Sequence, residues 1–191
     1  MQINNSSYQR TTTMRIILTA LTLLACSFST RAATAQIGIY GQFNTTHDGA
    51  VDAWYKGFTL GGYDSFLNVG PVHTGLDVRG SFQSGDNYHF RNFLVGPRVQ
   101  VRPPVLPINP YIQAEIGFGG SRYTGTSPLG GHYNNKFQYG FIGGLEYTVL
   151  PRIDLRLPEI SYLRMSAVSS IPNAPKVNLV GLGFGLVVRL P

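Results

Sequence analysis

From Val180 to Leu190 every second residue is apolar: Val180, Leu182, Phe184, Leu186, Val188 and Leu190 alternate with Gly181, Gly183, Gly185, Val187 and Arg189. Successive side chains of a strand point to opposite faces, so this segment reads as a strand with one apolar wall and one almost bare wall. A helix is excluded, because each glycine in its interior would cost about 1 kcal/mol and the apolar residues would scatter around its circumference. The bare wall suits a crowded, narrow space. The apolar wall must face something as apolar as itself.

The same period recurs upstream, and eight such segments can be drawn from Gln36 onward. In the first, Ile37, Ile39 and Phe43 oppose Gln36, Tyr40, Gln42 and Asn44; the second, residues 58–67, is the least regular. The third sets Leu76, Val78 and Phe82 against Asp77, Arg79, Ser81 and Gln83. The fourth sets Phe93, Val95, Val99 and Val101 against Arg98, Gln100 and Arg102, with a parity slip after Phe90 that predicts a bulge. The fifth has Ile112, Ala114, Ile116 and Phe118 opposite Gln113, Glu115, Gly117 and Gly119. The sixth has Phe137, Tyr139, Phe141, Leu145 and Tyr147 opposite Gln138, Gly140, Gly144 and Glu146. In the seventh, Ile153, Leu155 and Leu157 oppose Asp154 and Arg156 until Pro158, which removes a ladder donor and predicts a second bulge. Compact connections at 68–72, 103–110 and 150–152 alternate with polar ones at 45–56, 85–87, 122–135 and 167–176, the pattern of an up-and-down meander.

Alternation alone does not say which face is wet, but the makeup of the polar face does. A water-facing sheet is normally rich in Lys, Glu, Thr and Ser, whereas this face carries glycines, four acids (Asp77, Glu115, Glu146, Asp154) and five arginines (Arg79, Arg98, Arg102, Arg156, Arg189). Unpaired charges in a closed space are expensive, so near balance is what a filled polar lumen requires. The aromatics agree. Phe43, Phe58, Phe82, Phe90, Phe118, Phe137 and Tyr139 fall near one end of the segments and Phe66, Tyr111 and Tyr147 near the other, as two interfacial girdles would. The expected fold is an all-β, eight-stranded antiparallel up-and-down transmembrane β-barrel.

Composition closes off other classes. With 43% apolar and 13% charged residues the chain is not disordered. Its formal charge of +6 includes Arg10, Arg15 and Arg31, all before residue 36, and the remaining bases form no run that could track a phosphate backbone, so no nucleic-acid partner is expected.

Residues 1–35 read as an export signal. Met14 and Arg15 precede a 13-residue apolar run from Ile16 to Phe28, followed by Ala33-Thr34-Ala35, an A-x-A cleavage site. The run is shorter than the roughly 20 residues a spanning helix needs. Cleavage after Ala35 would leave 36–191 as the barrel, and Met14 is the expected start of translation. The only cysteine, Cys26, lies in this segment, within Leu23-Leu24-Ala25-Cys26, which also has the outline of a lipoprotein box. Either it is removed with the signal or it is acylated.

Gly75-Leu76-Asp77-Val78-Arg79-Gly80, Val95-Gly96-Pro97-Arg98, Gly143-Gly144-Leu145-Glu146-Tyr147 and the glycine-alternating last strand together resemble the small eight-stranded outer-membrane barrels of Gram-negative bacteria, related in architecture to the membrane domain of OmpA and the opacity proteins. The resemblance covers 36–191. Gly185 to Leu190 is similar to that family's C-terminal assembly signal, although the chain ends Leu190-Pro191 where the family usually has an aromatic residue. It implies location in the cell outer membrane and contact with outer-membrane lipid, lipopolysaccharide and the assembly machinery. It also implies possible extracellular partners on the loops at 45–56 and 122–135.

Little in the sequence points to catalysis or a cofactor. His47, His73, His89 and His132 are never at metal-ligand spacing, and none has a Ser two residues later, as the deacylase type of such barrels does. The expectation is therefore no enzyme, no cofactor and no metal. In this reading Asp77, Arg79, Arg98, Arg102, Glu115, Glu146, Asp154, Arg156 and Arg189 form a salt-bridged lumen network, and the role is structural or one of surface interaction. A lipid A-modifying enzyme and a narrow solute pore are the alternatives; at eight strands the interior is just filled by side chains, so a wide porin channel does not follow.

Overall fold

The computed structural model describes residues 36–49, 52–86, 88–123, 133, 135–165 and 177–190. The export signal, with Met14, Cys26 and Ala35, lies outside the described residues. The strands are β1 (Gln36–Asp48), β2 (Ala53–Val69), β3 (Val72–Ser84), β4 (Tyr88–Val101), β5 (Ile108–Tyr123), β6 (Lys136–Leu150), β7 (Ile153–Met165) and β8 (Val177–Arg189). Each pairs antiparallel with the next, and β8 pairs back onto β1, closing the barrel. Closure leaves no strand edge with unpaired backbone groups, the condition for crossing a bilayer with strands. The chain begins and finishes its barrel at one end, here the terminal end; β1–β2, β3–β4, β5–β6 and β7–β8 turn at the other, the hairpin end.

The alternation sorts the side chains. Ile37, Ile39, Phe43, Leu60, Ile112, Ile116, Phe141, Leu186 and Val188 all stand exposed on the outer wall, while Gln42, Asp77, Arg79, Arg98, Glu115 and Glu146 are buried inside. This is a soluble barrel turned inside out. Phe184, Phe43, Phe58 and Phe82 are direct register partners across four strands, and the aromatic line then steps two residues to Phe93, Phe118 and Phe137 on β4, β5 and β6. Strand tilt makes the step necessary, because a row perpendicular to tilted strands climbs the barrel. Phe43 meets Phe58, and Phe118 meets Phe137, edge to face at centroid distances of 5.6 and 6.1 Å.

Four expectations need correction. No bulge follows Phe90, since β3 and β4 stay in register throughout; the apparent slip arises because Phe90 points inward. Phe90 and Tyr111 are 3% and 5% exposed and belong to the interior, not to a girdle. The stretch 45–56 is mostly strand, with Thr45 paired to Lys56 and Asp48 to Ala53, and Asp52, next to β2, has φ 50°. Polar residues there gave it the look of a loop. The lumen is also not polar throughout: Tyr55, Phe90, Leu94, Ile142, Leu163, Met165, Val177 and Leu179 fill its hairpin-end half as an apolar cluster.

The bulge at Pro158 is present. Register shifts between Arg156 and Glu159, and Leu157 and Pro158 both turn outward. Closed pairing of this kind resists detergent. Protein kept in detergent without boiling should therefore migrate differently on a gel from boiled protein; identical mobility together with partition into the aqueous phase would exclude the membrane barrel.

Candidate functional site

In a regular strand, residues three apart lie on opposite faces. The Leu157–Pro158 bulge cancels that rule and puts both Arg156 and Glu159 inside the barrel. Glu159, which the alternation in sequence did not single out, is the hub of the interior. Its carboxylate accepts hydrogen bonds from Arg79 Nη1 at 2.8 Å, Tyr111 Oη at 2.6 Å, Gln42 Nε2 at 2.5 Å and Arg156 Nη1 at 3.2 Å. The signal for it in the sequence was Pro158 itself: a bulge changes parity, so the inward residues after it are Glu159 and Ser161.

Glu146 is the second hub. It accepts from Arg98 Nη2 at 2.8 Å, Arg156 Nη2 at 2.7 Å and Gln100 Nε2 at 2.6 Å. Arg156 thus bridges the two carboxylates. Arg79 reaches Asp77 Oδ1 at 3.2 Å and Gln113 Oε1 at 2.5 Å, and Tyr40 donates to the same Asp77 oxygen at 2.7 Å. Glu115 is held more loosely than Glu146 and Glu159: it lies 3.9 Å from Arg79 Nε, and its carboxylate accepts no hydrogen bond.

Toward the terminal end, Arg189 Nη2 lies 3.0 Å from Asp154 Oδ1, and Arg102 Nη2 donates to Gln100 Oε1 at 2.8 Å. All nine residues singled out in the sequence face the interior. Seven of them (Asp77, Arg79, Arg98, Glu115, Glu146, Asp154, Arg156) are buried, whereas Arg102 and Arg189 are partly exposed at the terminal mouth. With Glu159 added, this network holds five arginines and five acids, Asp77, Glu115, Glu146, Asp154 and Glu159, while a further inward acid, Asp48, accepts from Tyr55 Oη near the hairpin end.

Three tyrosines wall the guanidinium groups. Arg156 lies 3.7 Å over the ring of Tyr40, and Arg98 lies 3.9 Å over Tyr111 and 4.1 Å over Tyr63. Such stacking satisfies the faces of the guanidinium planes while their edges bond carboxylates. Each ring has a glycine across the ladder: Gly61 opposite Tyr40, Gly38 opposite Tyr63 and Gly144 opposite Tyr111. A Cβ at any of the three would run into that ring. Gly38, Gly61 and Gly144 therefore share a purpose, to let aromatic rings lie flat beside the charges.

On β8 the reason is similar, since a Cβ at Gly183 would meet Asn44 and Gln42, and one at Gly185 would meet Gln42. Between the charged layer and the apolar cluster a cavity of ≈ 20 Å³, lined by Thr46, Ser81, Asn92 and Ser161 among others, has room for about one water. Among the described residues no three His, Cys, Asp or Glu side chains converge as metal ligands would.

No protein-family model matches the chain, and no curated protein matches it. Solved structures do match. Neisserial surface protein A (NspA) aligns with 82% of this chain and 97% of its own at 17% identity and a TM-score of 0.54. Ail, the attachment invasion locus protein of Yersinia pestis, aligns over the same shares at 15% identity and 0.53. The outer membrane enzyme PagL aligns with 76% of this chain and 97% of its own at 14% identity and 0.51. At these identities the likeness is one of fold. An apolar outer wall around a charged interior and the fold of these proteins agree: the chain is a small eight-stranded transmembrane β-barrel of the outer-membrane type.

Proposed function

We propose that this barrel is a closed, non-conducting protein of the outer membrane with a structural or surface-interaction role, its lumen sealed by the salt-bridged network around Glu146 and Glu159. The observation that carries this reading is the two-layered interior. A charged, hydrogen-bonded layer is followed toward the hairpin end by the apolar cluster around Phe90, Leu94 and Leu179. An ion would have to displace paired charges and then cross an apolar stretch, and each step is costly. The hairpin end faces outward in this reading, as the two chain ends of an exported meander lie on the inner side. Surface interaction has a precedent in Ail, whose structure has been solved in complex with the heparin analogue sucrose octasulfate.

Planar-bilayer recordings of the refolded protein test the seal. Wild-type protein should show only low, sporadic conductance, rising when Glu159 or Glu146 is replaced by Ala. Large, steady wild-type conductance would overturn the closed lumen in favour of the pore.

An enzymatic reading has one observation in its favour. Ser84 Oγ lies 2.8 Å from His89 Nδ1 on the outer wall, a pair that a search for Ser two residues after His cannot find because it crosses a hairpin. Ser84 and His89 are register partners at the tight β3–β4 turn, so strand pairing alone accounts for the contact. Mass spectrometry of lipid A from cells with and without the protein separates the readings: an unchanged acylation pattern fits the structural role, and loss or gain of an acyl chain would establish the enzyme.

A further inference from the structure

The outer wall of β4, β5 and β6 carries an ordered column of side chains. Running down from the hairpin end, the paired positions on β4 and β5 are His89 with Arg122, Arg91 with Gly120, Phe93 with Phe118, and Val95 with Ile116. At the top, Arg91 and Arg122 share one ring: their guanidinium carbons lie 3.9 and 5.6 Å from the centre of Tyr133. Two like charges are thus held together by an aromatic face. Neither arginine is ion-paired among the described residues, and the sequence contains no Asp or Glu between Glu115 and Glu146.

Below the aromatic pair the wall is notched. Ala114 stands between Pro97 and Phe141, with Leu76, Ile116 and Tyr139 around it, and the apolar groove they border has a volume of ≈ 400 Å³. Ala114, a small side chain among larger outward neighbours, creates it. Arg91 and Pro97 are six residues apart on one strand, about 20 Å at 3.3 Å per residue. A tilt of about 40° turns that into about 15 Å of depth, half the thickness of the hydrocarbon core. Cationic top, aromatic collar and apolar notch are therefore spaced as the head, glycerol-level and tail regions of one leaflet.

We propose that this column is a seat for one molecule of lipid A, with a phosphate on Arg91 and Arg122 and an acyl chain running past Phe93 and Phe118 into the notch at Ala114. Two adjacent guanidinium groups suit a phosphate monoester, which carries close to two negative charges and three acceptor oxygens. The phosphodiester of an ordinary phospholipid carries one. The assignment rests on the hairpin end facing outward, where the outer leaflet is.

Native mass spectrometry tests it on the full chain expressed in a Gram-negative outer membrane and released in mild detergent, with bisphosphorylated lipid A, its dephosphorylated form and phosphatidylglycerol as probes. Wild-type protein should retain one bisphosphorylated lipid A in preference to both other lipids. The double variant Arg91→Gln, Arg122→Gln should weaken retention by about twentyfold. Ala114→Phe, which fills the notch, should weaken it severalfold. Lys56→Gln with Arg164→Gln, which removes the same charge elsewhere on the rim, should leave it unchanged.

All variants should keep the heat-modifiable gel shift, so loss of lipid is distinguishable from loss of the barrel. Equal retention of phosphatidylglycerol, equal losses in the two charge variants, or a groove occupied by a second copy of the chain would each overturn the seat.

Discussion

Glu159→Ala is expected to lower the free energy of unfolding by about 3–5 kcal/mol, because it strands Arg79 and Arg156 without their shared carboxylate in a buried site. Tyr111 and Gln42 lose an acceptor at the same time. Urea titration of the protein refolded in lipid vesicles, read by the gel mobility of unboiled samples, measures the loss. Glu115→Ala supplies the comparison within the same lumen. Its carboxylate accepts no hydrogen bond and is 3.9 Å from Arg79, so its removal should cost about 1 kcal/mol or less. A large effect at one acid and a small one at the other would mean that hydrogen-bonded pairing, not charge count, holds the interior. Small effects at both would mean that water reaches the network and screens it.

Neighbouring positions on β8 should fail for different reasons. Leu182 stands on the outer wall, and Leu182→Arg should cost about 2–4 kcal/mol, the expense of an arginine facing the hydrocarbon core. Gly183, the next residue, faces inward onto Asn44 and Gln42. There an arginine has no room at all, and Gly183→Arg should prevent accumulation of the heat-modifiable form. The same vesicle assay checks the first, and the unboiled band from outer-membrane fractions checks the second. An unaffected Leu182→Arg would show that this wall does not face lipid.

The period of two carried much of this architecture in plain view. A strand has only two faces, so where apolar and polar residues alternate, as along β8 or from Leu76 to Gln83, the inside and outside of every residue follow from parity alone. That is why Asp77, Arg79, Arg98, Glu115, Glu146, Asp154 and Arg156 could be assigned to the interior without coordinates, and why Phe43, Phe58, Phe82, Phe118 and Phe137 could be placed at one rim.

Parity fails where the chain is irregular or where both faces are apolar. Glu159 lies beyond a bulge, and the number of residues a bulge absorbs depends on how β7 meets β6 and β8 together. Phe90, Leu94 and Leu179 are as apolar as the residues of the outer wall, so their chemistry does not mark them as interior; they fill the lumen because their strands close into a barrel and that end must be packed. Partner choice is also beyond local pattern. Five arginines and five acids can be paired in many ways, and only the tilt and stagger of the closed sheet bring Arg156 between Glu146 and Glu159 while leaving Glu115 at 3.9 Å from its nearest cation. Alternation thus decided which side of the wall most residues occupy, and closure of the barrel decided which of them meet, because distances across a lumen are set by the geometry of all eight strands at once.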